Sequence, residues 1–124
     1  LSDFPTSHRW SRWTLTTSEE KPLKGHRYGI RFHVDAWREW LNLDGSVRKL
    51  LKGLLGKRLN KPHVPGSALH GELAGFYKIK LLKQGIRLIY RVEDGILIVI
   101  VFCIGKREDG LAYALTLSRI RQAN

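Results

Sequence analysis

The chain has 124 residues, 43% of them apolar, enough for one hydrophobic core and one site. Its 22 Lys and Arg against 11 Asp and Glu give a formal charge of +11, which points to a polyanionic partner: nucleic acid, an acidic membrane surface or an acidic protein. One cysteine, Cys103, excludes an intramolecular disulfide, and the lack of any apolar run of about 18 residues or of a secretory pattern reads as a soluble, cytoplasmic chain with no membrane partner.

Residues 1–27 carry scattered Ser, Thr, His and charge without sustained periodicity, and read as an extension outside the core, flexible or loosely docked through Trp10 and Trp13. Residues 28–124 form the domain proper. Tyr28, Ile30 and Phe32 alternate with Arg31 and His33, as a half-buried strand requires. Asp35 is then expected to cap a helix carrying Trp37, Trp40 and Leu41, which the Asp44-Gly45 pair ends. Ser46 opens a second helix in which Val47, Leu50, Leu51, Leu54, Leu55 and Leu59 follow helical spacing as the core face, with cations around the rest. Gly53 and Gly56 each cost that helix about 1 kcal/mol against alanine unless packing is close there.

Pro62, Pro65 and Gly66 stop the helix. Three strand-like runs follow, 76–82, 86–92 and 96–104, joined by Lys83-Gln84-Gly85 and Glu93-Asp94-Gly95, and such short turns predict an antiparallel meander. The last run is apolar on both faces and should lie centrally. Its Cys103 reads as a small buried hydrophobe. Helical spacing over 111–122 closes the chain. The expected fold is α+β in the order β-α-α-β-β-β: an antiparallel four-stranded sheet packed against two N-terminal helices, with a short C-terminal helix.

The two-residue period of a strand puts Lys78 and Lys80 on one face, with Tyr77, Ile79 and Leu81 on the other. The next strand brings Arg87 and Arg91 on one face, opposite Leu88, Tyr90 and Val92. If Arg87 lies beside the lysines, the sheet presents a cationic hollow suited to phosphate; the plainer alternative is a solvated basic face. There is no His/Cys cluster with metal-ligand spacing, no Gly-rich phosphate loop and no carboxylate pair in the strands, so no metal or cofactor is expected. His8, His26, His33, His63 and His70 read as surface or capping residues.

The ordered segments Tyr77-Lys78-Ile79-Lys80-Leu81, Gly85-Ile86-Arg87-Leu88-Ile89-Tyr90 and Gly105-Lys106-Arg107-Glu108, with Tyr113 following, resemble the bacterial RelE toxins. Upstream the resemblance takes in Phe32-His33-Val34-Asp35-Ala36, Asp44-Gly45-Ser46-Val47-Arg48 and Leu69-His70-Gly71, so that it covers residues 28–120. It implies the toxin of a type II toxin–antitoxin system, an endoribonuclease that cuts mRNA in the ribosomal A site without a cofactor. The implied partners are the ribosome, mRNA, a RelB-type antitoxin and, through that antitoxin, operator DNA.

Residue by residue, the resemblance implies catalytic roles for Lys78, Lys80, Arg87, Arg107 and Tyr113. Arg48, Lys49, Lys52, Arg91 and Lys106 are expected to contact RNA or the ribosome. RNA can be cut by its own 2′-hydroxyl, leaving a 2′,3′-cyclic phosphate. Tyr113 is the implied base, and since a free tyrosine titrates near about pH 10, cations such as Lys78 and Lys80 would have to favour its phenolate. Arg87 suits the non-bridging oxygens. Arg107 is placed at the leaving oxygen, but a guanidinium is a poor proton donor, so Lys80 is expected to share that role. Two rivals remain: a ParE-like gyrase poison of the same fold, and a non-catalytic module that binds an antitoxin or DNA.

Overall fold

The computed structural model describes residues 27–106 and 108–123. The extension, with Trp10, Trp13, His8 and His26, therefore lies outside the described residues save for Arg27. The elements are β1 (Gly29–Phe32), α1 (Val34–Leu41), α2 (Gly45–Asn60), two short 3-10 turns (Pro65–Ser67 and Gly71–Leu73), β2 (Phe76–Leu81), β3 (Ile86–Glu93), β4 (Ile98–Gly105) and α3 (Asp109–Ala123).

The sheet runs β1-β4-β3-β2. β2, β3 and β4 form the expected antiparallel meander, but β1 pairs parallel to β4, from Gly29 opposite Ile98 to Phe32 opposite Val101. The sheet is therefore mixed, which corrects the purely antiparallel expectation. Short turns fix strand direction only between neighbours in sequence. β1 reaches β4 through two helices and two other strands, and no local signal specifies its direction.

β4 is central, with every residue from Ile98 to Ile104 buried. It begins two residues later than the apolar run, because 94–97 form the turn and Leu97 takes a positive φ of 53°. A leucine pays strain there, and its carbonyl receives the Gly29 N–H at 2.9 Å, which helps hold β1 in place. Ile89 pairs with Cys103 but Tyr90 pairs with Val101, so Phe102 is one residue extra on β4. The bulge turns both Phe102 and Cys103 toward one layer and sends Ile104 to the other.

Two layers of core result. Leu51, Leu55 and Leu59 of α2 and Trp40 of α1 cover the sheet face that carries Phe32, Ile79, Leu88, Tyr90 and Val101. Leu50, expected in that stripe, is 47% exposed. It lies about 100° round the helix from Leu51, past the edge of the stripe. A Cβ at Gly53 would meet nothing within 4 Å, so close packing is not what that glycine serves. The opposite face, with Phe76, Ile89, Ile100 and Phe102, is covered by α3 through Ala112, Leu115 and Ile120. α3 is 15 residues long, more than the short helix expected, and completes the second layer.

Two caps differ from expectation. The Nδ1 of His33, not Asp35, accepts the Asp35 N–H at 3.1 Å and caps α1. Asp44 does not end α1; it caps α2 by accepting the Ser46 N–H at 3.3 Å.

Candidate active site

β2 is an edge strand, and its alternation puts Phe76, Lys78 and Lys80 on the face beneath α3. In the ladder Lys80 is directly opposite Arg87, so the adjacency anticipated from strand period is present. Like charges in that relation repel. A carboxylate from α3 offsets them: Asp109 takes an ion pair from the Arg87 guanidinium and another from Lys78 Nζ at 3.4 Å. Lys78 Nζ also lies 3.3 Å from the Tyr113 hydroxyl. Lys78, Lys80, Arg87 and Tyr113 thus converge around Asp109, three cations and one carboxylate giving a local charge of +2.

The hydrogen bond to Tyr113 leads the interactions that hold the Lys78 ammonium above its ordinary pKa, against the opposing effect of desolvation. Burial pushes the Asp109 carboxyl up, but the hydrogen bond from Arg87 and the charges of Lys78, Lys80 and Arg87 outweigh it and hold the group below the usual carboxylate range. Sequence patterning leaves Asp109 in a charged loop. The signal that finds it is spacing: it precedes Tyr113 by four residues, and such residues share one face of a helix.

The other end of α3 is anchored by a residue pair that sequence patterning does not reveal. Arg119 donates to both carboxylate oxygens of Glu39 on α1, at 2.7 and 2.9 Å, and to the Phe102 carbonyl at 2.8 Å. Glu39 also accepts the Ile104 N–H at 3.0 Å. At the far end of the sheet His63 bridges Tyr77 (2.8 Å) and Asp94 (2.9 Å), and Tyr28 donates to Asp94 at 2.6 Å, which ties the β3–β4 turn to β1 and to the loop after α2. His63 is thus the exposed residue expected, and it also bridges two elements.

The remaining expected contacts are dispersed. Arg91 shares the α3-side face, but its guanidinium lies over the Phe76 and Phe102 rings, at 5.7 and 5.2 Å, and pairs with Glu93 at 2.8 Å. Arg48, Lys49 and Lys52 belong to α2, on the opposite layer from the cluster. Lys106 is exposed just beyond β4. Arg107 lies outside the described residues. Among the described residues no three His, Cys, Asp or Glu side chains gather as a metal-holding group, and no helix is long and apolar enough to cross a membrane.

The lowered Asp109 pKa carries a sign. Its contribution to docking α3 is complete above the ordinary carboxylate pKa of about 4 and is lost as pH falls through the lower folded-state value. Protection factors for amide hydrogen exchange in the first turns of α3 should therefore fall between pH 5 and the acid limit more than those in β4. In Asp109→Asn that extra fall should vanish; its persistence would show that another group controls the helix.

A RelE-like toxin protein of Escherichia coli is 40% identical over 95 residues, spanning 77% of this chain and 99% of that relative. The chain belongs to the RelE toxin family. The mRNA interferase toxin RelE of Escherichia coli is 38% identical over 93 residues, 75% of this chain and 97% of that toxin. Among solved structures, a double arginine-to-alanine mutant of free Escherichia coli RelE superimposes with a TM-score of 0.69 at 36% identity, over 76% of this chain and 98% of that one. RelE in the intact Escherichia coli RelBE toxin–antitoxin complex gives 0.63 at 38% identity, over 65% and 98%. No protein-family model matches the chain.

Proposed function

We propose that this RelE-family chain is the toxin of a type II toxin–antitoxin system and an endoribonuclease that cuts mRNA in the ribosomal A site. The observation that carries this reading is the convergence of Lys78, Lys80 and Arg87 beneath Tyr113. The names of the interferase relatives and the antitoxin-bound RelE structure support it. A RelB-type antitoxin is the proposed partner, and operator DNA is reached through it.

In this mechanism Tyr113 takes the proton of the RNA 2′-hydroxyl, and the freed oxygen forms a bond to the adjacent phosphorus. The Lys78 ammonium, already hydrogen-bonded to the phenol, stabilises the phenolate that forms. Arg87 binds the non-bridging oxygens with its planar fork as charge builds. To do so it exchanges the Asp109 carboxylate for the phosphate, so the pairing described above is the resting state of that arginine. The 5′-oxygen then leaves and takes a proton from Lys80 or Arg107. The products are a 2′,3′-cyclic phosphate and a 5′-hydroxyl.

No histidine belongs to this cluster among the described residues, and the proposed base is a phenol. Orientation of the message by the ribosome contributes to the rate. The test is to incubate the purified chain with programmed ribosomes and with the same message alone. Fragments ending in a cyclic phosphate should form on ribosomes, and free message should be cut far more slowly. Fragments ending in a 3′-hydroxyl would rule out attack by the 2′-oxygen.

A further inference from the structure

The Lys78 ammonium is held by Tyr113 and Asp109 on the α3 side of the sheet, and its backbone is held from the other layer. β2 is an edge strand, so every second carbonyl along it faces away from β3. Across the ladder Lys80 meets Arg87, and the repulsion between them works against the pairing of the two strands. The outward carbonyl of Phe76 takes the Leu69 N–H at 2.9 Å, where the chain before β2 runs beside it. The next outward carbonyl is that of Lys78, because carbonyls two residues apart in a strand point the same way.

Arg58, in the last turn of α2, supplies its donor. The Nη1 of Arg58 lies 3.4 Å from the Lys78 carbonyl and 2.9 Å from the Tyr90 hydroxyl, and its Nη2 donates to Ser67 Oγ at 3.2 Å. The guanidinium lies 5.8 Å from the centre of the Tyr90 ring. The Tyr90 hydroxyl already donates to the Pro62 carbonyl at 2.7 Å, so it does not require the arginine. Nor does Arg58 belong to the solvated basic face of α2: Lys57 and Lys61 close by are exposed, whereas Arg58 is half-buried. A planar fork that reaches the edge strand and the Ser67 loop at once fixes both relative to the helix.

We propose that Arg58 is a positioning residue for the cut: through the Lys78 carbonyl it holds β2 where the Lys78 ammonium meets Tyr113. It acts through Lys78 and not on the RNA itself. This rests on the nuclease reading above.

Arg58→Gln tests the proposal, both on programmed ribosomes and in the free chain. On ribosomes the saturating single-turnover rate should fall about tenfold, short of the roughly hundredfold that a misplacement of about 1 Å can cost, while the half-saturating ribosome concentration stays unchanged. In the free chain, brief acetylation with acetic anhydride near neutral pH, read by mass spectrometry, reports on each lysine. Wild-type Lys78 should react slowly beside the exposed Lys80, because the hydrogen bond to Tyr113 holds its ammonium above the ordinary pKa. Arg58→Gln should raise the ratio of Lys78 to Lys80 labelling severalfold. Should Arg58→Gln fail to fold, Arg58→Lys, which keeps the stem and the charge but not the fork, gives both readouts with smaller changes. An unchanged rate in a folded variant would overturn the proposal and leave the nuclease reading standing. A lower rate with an unchanged labelling ratio would overturn it as well and make Arg58 a residue of stability alone. A higher half-saturating concentration at an unchanged saturating rate would make Arg58 a ribosome contact and also overturn it. A wild-type chain that makes no cuts defeats the nuclease reading itself, and this proposal with it.

Discussion

Replacing Arg87 with alanine should lower single-turnover cleavage on programmed ribosomes by about 10²- to 10³-fold, the usual cost of removing one preorganised group that meets transition-state charge. Arg87→Ala cuts the local charge from +2 to +1, since Lys78, Lys80 and Asp109 remain. The fold should survive, because Asp109 keeps Lys78 as its partner. Growth arrest should disappear while antitoxin affinity is retained. Arg87→Lys should recover part of the rate, as it keeps the charge but not the planar fork. Tyr113→Phe should be as damaging as the alanine variant, because it removes the proposed base while preserving the ring that packs beneath α3. Undiminished toxicity of Arg87→Ala would refute the mechanism.

A second large effect concerns stability. Arg119→Ala should cost about 3 kcal/mol or more in urea unfolding, in the range seen when one partner of a buried ion pair is removed. The Arg119 and Glu39 side chains are only 8% and 17% exposed, and the arginine also satisfies the Phe102 carbonyl at the β4 bulge. The double variant Glu39→Gln with Arg119→Ala should lose less than the sum of the single losses, since the two sites share one interaction. A loss below about 1 kcal/mol would mean that the pair behaves as a solvated surface contact.

Much of the sheet was legible because its signals are local. The Lys83-Gln84-Gly85 and Glu93-Asp94-Gly95 turns imply a meander, and the doubly apolar β4 implies a central strand, as found. The direction of β1 was not legible, since nothing in the chain between β1 and β4 encodes their distant pairing. The Phe102 bulge was hidden for a different reason: in a run apolar on both faces, a slip of one residue leaves the hydrophobic pattern unchanged. Leu50 misled because helical spacing locates a stripe without its edges.

The same division holds for the candidate site. Strand alternation brings Lys78, Lys80 and Arg87 together, and Tyr113 joins them once α3 covers that face. Asp109 was obscured by the charged residues around it, although its spacing from Tyr113 carried the information. The pairing of Arg119 with Glu39 spans 80 residues and follows only from how α3 packs.

The measurement that bears most directly on the central claim is a map of RNA 5′ ends, together with an assay of chromosomal DNA, after the chain is induced in growing cells. The nuclease reading predicts new ends inside translated messages, in phase with codons and absent when Arg87→Ala is induced instead, with the DNA intact. Intact messages accompanied by broken DNA would contradict it and point to a gyrase poison on the same fold.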